Sequence, residues 1–485
     1  CRDFSATAAR ESKTVIHVAN ALAAAIALTS GSAALAQANS GALPAAAAYT
    51  DRIIVRYRDD HRSFIASRSD MFQVYAEHLS NTRGHGKRLR HHREMGDGSQ
   101  VLKLDQSEHV SSVQALAAQL AQDPTVLYAE PDVRMFPQLA PNDVRYKEQW
   151  HYFETIGGIN LPKAWDITTG SPNVVVAVID TGYRPHADLA AKIIPGFDFV
   201  ADITTGNDGN GRDADASDPG DACSPSSSSW HGTHVAGTIG AVTDNGFGVA
   251  GINWQSKILP VRVLGKCGGF TSDIVDGMRW AAGLAVPNVP TNTKPAKVLN
   301  LSLGGSGKCS TTQQNAINAV VAAGTTVVVA AGNSNADAAN FSPASCTNVI
   351  SVAAINRKGA RAPYSNFGTS VKIAAPGGDT STGSADGVLS TLNAGKTTPG
   401  ADSYAFYQGT SMATPHVVGV VSLMLSVKPT LTPAQVLSIL QSTARKFPTG
   451  TGRDCSATTS TSTTKRCGAG IVDAAAAVAA AQAVR

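Results

Sequence analysis

From Trp150 onward the chain repeats one pattern: a short run of consecutive apolar residues, then a stretch with helical spacing. This alternation restricts the available folds more than any other feature. The apolar runs cover 174–179, 258–264, 298–301, 326–330 and 349–353. The helical stretches lie near 234–243, 272–283, 311–323, 411–427 and 433–445, with Thr432 and Pro433 suited to the cap and first position of the last one. A strand that is apolar at every position, not at alternate ones, must be covered on both faces. The expectation is therefore an α/β domain with a mostly parallel sheet and helices on each side. In such sheets functional residues gather beyond the C-terminal ends of the strands.

The preceding stretch is organised differently. Strands are expected at 52–57, 101–104, 126–131 and 133–136, with helices near 64–79 and 110–121, as in a small α+β sandwich of the split βαβ kind. The basic run 83–93 has no interleaved aromatics and reads as a solvated loop. With a net charge of only +4, no nucleic-acid partner is expected. The first 38 residues carry Arg2, Arg10 and Lys13, an alanine-rich apolar stretch over 15–35, and a small-x-small Ala36-Gln37-Ala38. That is the pattern of a cleaved secretory signal, and no stable membrane association is expected. The chain thus divides into a signal (1–38), a small α+β unit (39–139) and the α/β domain (140–485).

Of seven cysteines, six fall in the last part: Cys223, Cys267, Cys309, Cys346, Cys455 and Cys467. None forms a Cys-x-x-Cys pair, which argues against zinc and, in an exported chain, for disulfides. Nearest neighbours (223 with 267, 309 with 346, 455 with 467) are the expected pairs, among fifteen possible connectivities.

Four positions could carry chemistry, and each is ambiguous alone. Asp180 follows the run 174–179 and could merely stabilise a turn. His231 opens His-Gly-Thr-His-Val-Ala-Gly-Thr, where His234 stands three residues on without a third metal ligand. Asn333 ends Ala-Ala-Gly-Asn after the run 326–330, as a turn asparagine could. Ser411, in Gly-Thr-Ser-Met-Ala-Thr-Pro-His (409–416), starts an apolar helix and could be near its cap. Together they make an acid, a base, a nucleophile and an amide donor at the ends of sheet elements. A serine hydroxyl needs an imidazole to take its proton, and the imidazole needs a carboxylate to fix its tautomer. The oxyanion needs preorganised donors, which the Ser411 N–H and the Asn333 amide could supply.

These blocks, with Val-Ile-Asp-Thr-Gly (178–182), resemble the subtilisin-like serine proteases in sequence and in the order Asp, His, Ser. The resemblance covers roughly 140–485 and is nearest to the secreted bacterial type. It implies a subtilisin-like sheet and Asp180, His231 and Ser411 as triad. Asn333 becomes the oxyanion-hole amide and His234 a structural residue. Ser302, Leu303, Gly304 and Gly305 would form the edge that pairs with an extended polypeptide substrate, and Ala331 and Gly332 the opposite wall. The Gly-rich 304–308 lacks the spacing of a phosphate loop.

The same resemblance makes 39–139 an inhibitory propeptide and folding chaperone, removed by self-cleavage between about 136 and 142. The product would be a secreted, monomeric endopeptidase. Residues 207–221 are dense in carboxylates, and Asp202, Asp208, Asp213 and Asp215 are the expected ligands of a structural Ca2+. An inactive binding protein of the same fold, or an esterase using the same triad, are the competing readings.

Overall fold

Burial on both faces is what the apolar runs produce. The structure is a computed structural model that describes residues 49–58, 71–134, 139–457 and 459–484. The expected signal, the beginning of the first expected helix and half of the expected 133–136 strand lie outside the described residues, as do 135–138 in the expected cleavage region, while Val133 and Arg134 are described and lie in no strand.

Within 49–134, strands β1 (Tyr49–Tyr57), β2 (Leu89–Glu94), β3 (Gln100–His109) and β4 (Val126–Pro131) alternate with helices α1 (Met71–Thr82) and α2 (Val110–Leu120). The sheet order is β2-β3-β1-β4, all antiparallel, which is the βαββαβ arrangement anticipated. Its core is its own: Ile53, Val55 and Leu102 pack against Ala76, Leu79, Val113 and Leu116. The basic run is not a free loop, however. Residues 89–94 form the edge strand β2, with Leu89 buried and most of the cationic side chains turned outward. Charged residues on an edge strand deter pairing with another chain, so a basic composition suits it.

The α/β domain is built on seven parallel strands. In chain order they are β5 (Val175–Asp180), β6 (Phe197–Asp198), β7 (Lys257–Arg262), β8 (Val298–Leu301), β9 (Thr326–Ala330), β10 (Ile350–Ile355) and β11 (Ile373–Pro376), arranged β11-β10-β9-β8-β5-β7-β6. Alternate residues face two separate layers. Val176, Val178, Val298 and Val328 point toward one, with Val235, Val418 and Val421. Ala177, Ile179, Leu299 and Val329 point toward the other, with Ile274, Met278 and Ile317. The helices supplying those layers are α3 (His231–Gly240), α4 (Thr271–Ala281), α5 (Thr311–Ala322) and α6 (Thr410–Val427). Two more follow, α7 (Pro433–Thr443), with the Thr432–Gln435 capping box, and α8 (Ala474–Gln482).

Two features of this frame position the site. The strand order reverses between β5 and β8, since the chain builds outward from β5 to one side and then returns to the other. Such a reversal opens a crevice at the C-terminal strand ends, next to Asp180 and Ser302. Beneath that crevice runs α6, buried from Met412 through Leu425. Each fully buried Val or Leu on it stabilises the docked helix by about 1.5–3 kcal/mol. Gly419 lets it come close: a Cβ there would stand 2.7 Å from Ile252. A hairpin not anticipated from sequence, β12 (Val388–Asn393) and β13 (Asp402–Tyr407), leads directly into the start of α6.

All three disulfides join the expected partners: Cys223–Cys267, Cys309–Cys346 and Cys455–Cys467.

Candidate active site

Asp180 is the last residue of β5 and fully buried. Its Oδ1 accepts from the Thr181 N–H at 2.8 Å and lies 2.8 Å from His231 Nδ1. His231 is the first residue of α3, three positions earlier than the sequence pattern places the helix start. The helix can begin beside Asp180 because its second residue is glycine, where a Cβ would stand 2.0 Å from the Gly182 carbonyl. Trp230, just before it, has φ 48°, a strained left-handed conformation for a bulky residue. Its indole N–H donates to the Gly395 carbonyl at 2.7 Å, which helps hold that turn. Burial disfavours the His231 imidazolium, but the charge and hydrogen bond of Asp180, with the charges of Asp221 and Asp218, outweigh it. The His231 pKa lies above the ordinary histidine value.

Ser411 is the second residue of α6. Its Oγ donates to the Ser302 carbonyl at 3.0 Å, while Ser302 Oγ donates back to the Ser411 carbonyl at 2.8 Å. Pro415 explains the second bond. A helix carbonyl normally receives the N–H four residues on, and at Ser411 that residue is proline, which has none. The freed acceptor is taken by a side chain from the end of β8, and Asn300 Nδ2 orients that hydroxyl at 2.9 Å. The serine is thus tied to the sheet by a reciprocal pair that no local sequence pattern advertises.

Asn333 faces the same helix start. Its Oδ1 accepts from the Thr410 N–H at 2.8 Å and from Thr410 Oγ at 2.9 Å. Because a backbone N–H can only donate, the amide orientation is settled, and Nδ2 remains available on the other side. Ser302, Leu303, Gly304 and Gly305 on one side, and Ala331, Gly332 and Asn333 on the other, line a cavity of about 350 Å3 that reaches Ser411 and Thr410. A second, larger groove of about 760 Å3 runs past His231 along Ser302–Ser306, bounded by Thr181, Asp221, Leu264 and Lys308.

The second histidine of the block is held differently. His234 is buried, stacked on Tyr407 with ring centroids 4.5 Å apart, and its Nε2 bonds the Ala405 carbonyl at 3.0 Å. Burial pushes its pKa down to about 3, so the ring is neutral. His416 and His151 continue this buried layer, joined at 2.7 Å between Nε2 and Nδ1.

The acidic loop departs from expectation. The four carboxylates expected to bind Ca2+ do not converge. Asp202 caps a helical turn by accepting from Thr205 N and Oγ. Asp213 accepts from Asn210 Nδ2 and Asp215 N, and Asp215 from Ser217 N. Asp208 accepts at 2.6 Å from Arg262, whose guanidinium is 1% exposed and also binds Asp198 and the Gly206 carbonyl. A fixed cation already pairs with Asp208, and the other three carboxylates accept from donors of their own turns and do not converge, so this set does not fit calcium. Among the described residues no group of three His, Cys, Asp or Glu side chains is placed to hold a metal ion. The C-terminal end of the loop instead returns to the site. Asp218 N bonds the Tyr183 carbonyl, and Asp221 accepts from Ser229 N at 2.6 Å, two residues before His231.

Residues 171–470 match the Subtilase family. An extracellular protease of Xanthomonas campestris pv. campestris is 48% identical over 443 residues, spanning 89% of this chain and 73% of the relative. An extracellular basic protease of Dichelobacter nodosus is 41% identical over 403 residues, 80% of this chain and 63% of the relative. Among solved structures, a protease from Pseudoalteromonas arctica aligns with TM-score 0.66 at 56% identity, covering 71% of this chain and 100% of that one.

Proposed function

The chain belongs to the subtilase family and is a subtilisin-like serine proteinase, and on that premise we propose that Asp180, His231 and Ser411 are its triad and Asn333 its oxyanion donor. The observation that carries this reading is the 2.8 Å contact of Asp180 Oδ1 with His231 Nδ1, at the strand-order reversal where Ser411 also sits. With Nδ1–H given to the carboxylate, Nε2 is the free base. Ser411 Oγ leaves the Ser302 carbonyl, passes its proton to Nε2 and attacks the scissile carbonyl. The oxyanion that forms is met by Asn333 Nδ2 and the Ser411 N–H, the latter unpaired because it lies in the first turn of α6. Collapse expels the amine, which takes the proton from His231. Water repeats the sequence to release the acid and restore Ser411.

The substrate is an extended polypeptide lying along 302–305, with one side chain in the 350 Å3 cavity. Residues 39–139 are the first such polypeptide, an inhibitory propeptide cut off by the enzyme itself between about 136 and 142. Its separate core, and the lack of any catalytic constellation among its described residues, support that role. A sheet with long-range parallel pairing folds slowly, which gives an attached chaperone something to accelerate. The relatives' printed descriptions as extracellular proteases and the amino-terminal segment support secretion. Ser411→Ala tests the scheme: the variant should accumulate uncut and fail to react with a fluorophosphonate probe. Normal self-maturation of that variant would sink it.

A further inference from the structure

The larger groove contains a charge that the chemistry does not require. Asp221 lines it next to His231, Thr181 and Ser229, and the Asp221 carboxylate is held rigidly. Its Oδ1 accepts from Ser229 N, its Oδ2 from Ser229 Oγ, and two residues on Cys223 is bridged to Cys267, itself on the groove wall. Neither bond supplies a positive charge, and among the described residues no Lys or Arg forms an ion pair with Asp221. The cation lining the same groove, Lys308, follows the 302–306 edge. A carboxylate fixed by neutral donors, open to a groove and paired with no Lys or Arg among the described residues can receive a cationic side chain.

The register of a bound chain says which substrate residue completes it. With the scissile carbonyl at Ser411, the side chain of the residue contributing that carbonyl enters the small cavity between 302–305 and 331–333. In an extended chain the next residue toward the N-terminus points to the opposite side. The larger groove, which shares the 302–306 edge with the small cavity, is lined on its other wall by His231 and Asp221. Resting on the reading of Ser411 as nucleophile, we propose that Asp221 selects substrates with a lysine or arginine immediately N-terminal to the residue in the small cavity. The attraction is electrostatic and partly open to solvent, so it gives a preference and not an absolute requirement.

The test uses two fluorogenic peptides identical except at that position, one with lysine and one with norleucine, which keeps the aliphatic stem and removes the charge. The mature enzyme at low ionic strength should show a kcat/KM ratio of about fivefold in favour of lysine. The ratio should fall toward one in about 1 M NaCl, where screening acts within about 3 Å. Asp221→Asn should bring it to about one without added salt, since the amide oxygen can still accept from Ser229 N. The ratio cancels any effect on folding or on His231 common to both peptides, and the salt series needs no variant. Equal rates on the two peptides with the unmodified enzyme would overturn the proposal, as would a lysine preference that survives Asp221→Asn. Hydrolysis of neither peptide would count instead against the triad itself.

Discussion

Residues 409–416 and 202–215 are both dense in residue types that carry function, yet one stretch gathers partners from across the chain and the other satisfies itself. Ser411 meets Ser302 from 109 residues away, and Thr410 meets Asn333 from 77 away. Asp202, Asp213 and Asp215 find their partners within three residues. The difference lies in the backbone. The serine stands at the start of a buried helix that crosses a strand-order reversal, so packing delivers it to one place. The aspartates stand in a loop of Gly, Asn and Asp, where a carboxylate can accept from an N–H two or three residues on at little entropic cost. The loop's ties to the frame are other groups: Asp208 bound by the buried Arg262, Arg212 paired with Asp273 and Asp276 on α4, and the Asp213 backbone bonded to Asp198 in β6.

The largest effect that would test this contrast is on the converging side. Ser411→Ala, once a second protease has removed residues 39–139, should lower kcat on a peptide substrate by a factor on the order of 10^6 relative to the mature parent, with Tm little changed, because the helix is anchored by its apolar face. A large loss of stability would mean that the reciprocal Ser302–Ser411 pair holds the helix in place.

Arg262 is next. Replacing it with Met, in a Ser411→Ala background to prevent autolysis, should cost about 3–5 kcal/mol by denaturant unfolding, since Asp198 is left buried without its cation. The pH dependence has a definite sign. Burial raises the Asp198 pKa to about 7 although Arg262 lowers it. A carboxyl whose folded pKa is raised holds its proton more tightly when folded, so its contribution is favourable at low pH and is lost as pH rises through that range. Without Arg262 the pKa climbs further, and the variant should be more destabilised relative to its parent at pH 9 than at pH 5. Equal destabilisation at both would mean that water reaches Asp198. Asn333→Ala follows, with an expected 10^2–10^3-fold loss in kcat and little change in KM. A change confined to KM would assign Asn333 to substrate binding instead.

Legibility followed the same division. Strands 298–301 and 326–330 keep the bounds their apolar runs suggest, because nothing competes with burial there. β11 is only Ile-Ala-Ala-Pro, too short and too small for a pattern, and the basic β2 carries the polarity of a loop because it is an edge. The start of α3 was hidden because Trp230 takes the place of a conventional capping side chain. At the site, the order and spacing of Asp180, His231, Asn333 and Ser411 were readable in motifs. Asp221 was not, since its place beside His231 depends on the 216–221 segment folding back along 181–183. Composition filed it with the calcium loop.

The smallest expected effect is also the one that could dissolve the contrast. Subtilases commonly hold structural calcium, and Asp213 is central to the loop where it was expected. Asp213 lies on a segment joined to Asp198 by two backbone bonds, Asp198 N to Asp213 O at 2.8 Å and the reverse at 3.2 Å, which survive any side-chain change. Asp213→Asn keeps an acceptor for the Asp215 N–H and should move stability by no more than about 0.5 kcal/mol. More telling is a difference of differences. The Tm shift between excess calcium and EDTA should be the same in parent and variant, because an ion held elsewhere does not feel this carboxylate. If Asp213→Asn instead abolishes a calcium-dependent rise in Tm, the outer carboxylates do converge on a cation. Local satisfaction would then describe only the ion-free loop, and Arg262 would be one of two cations closing it.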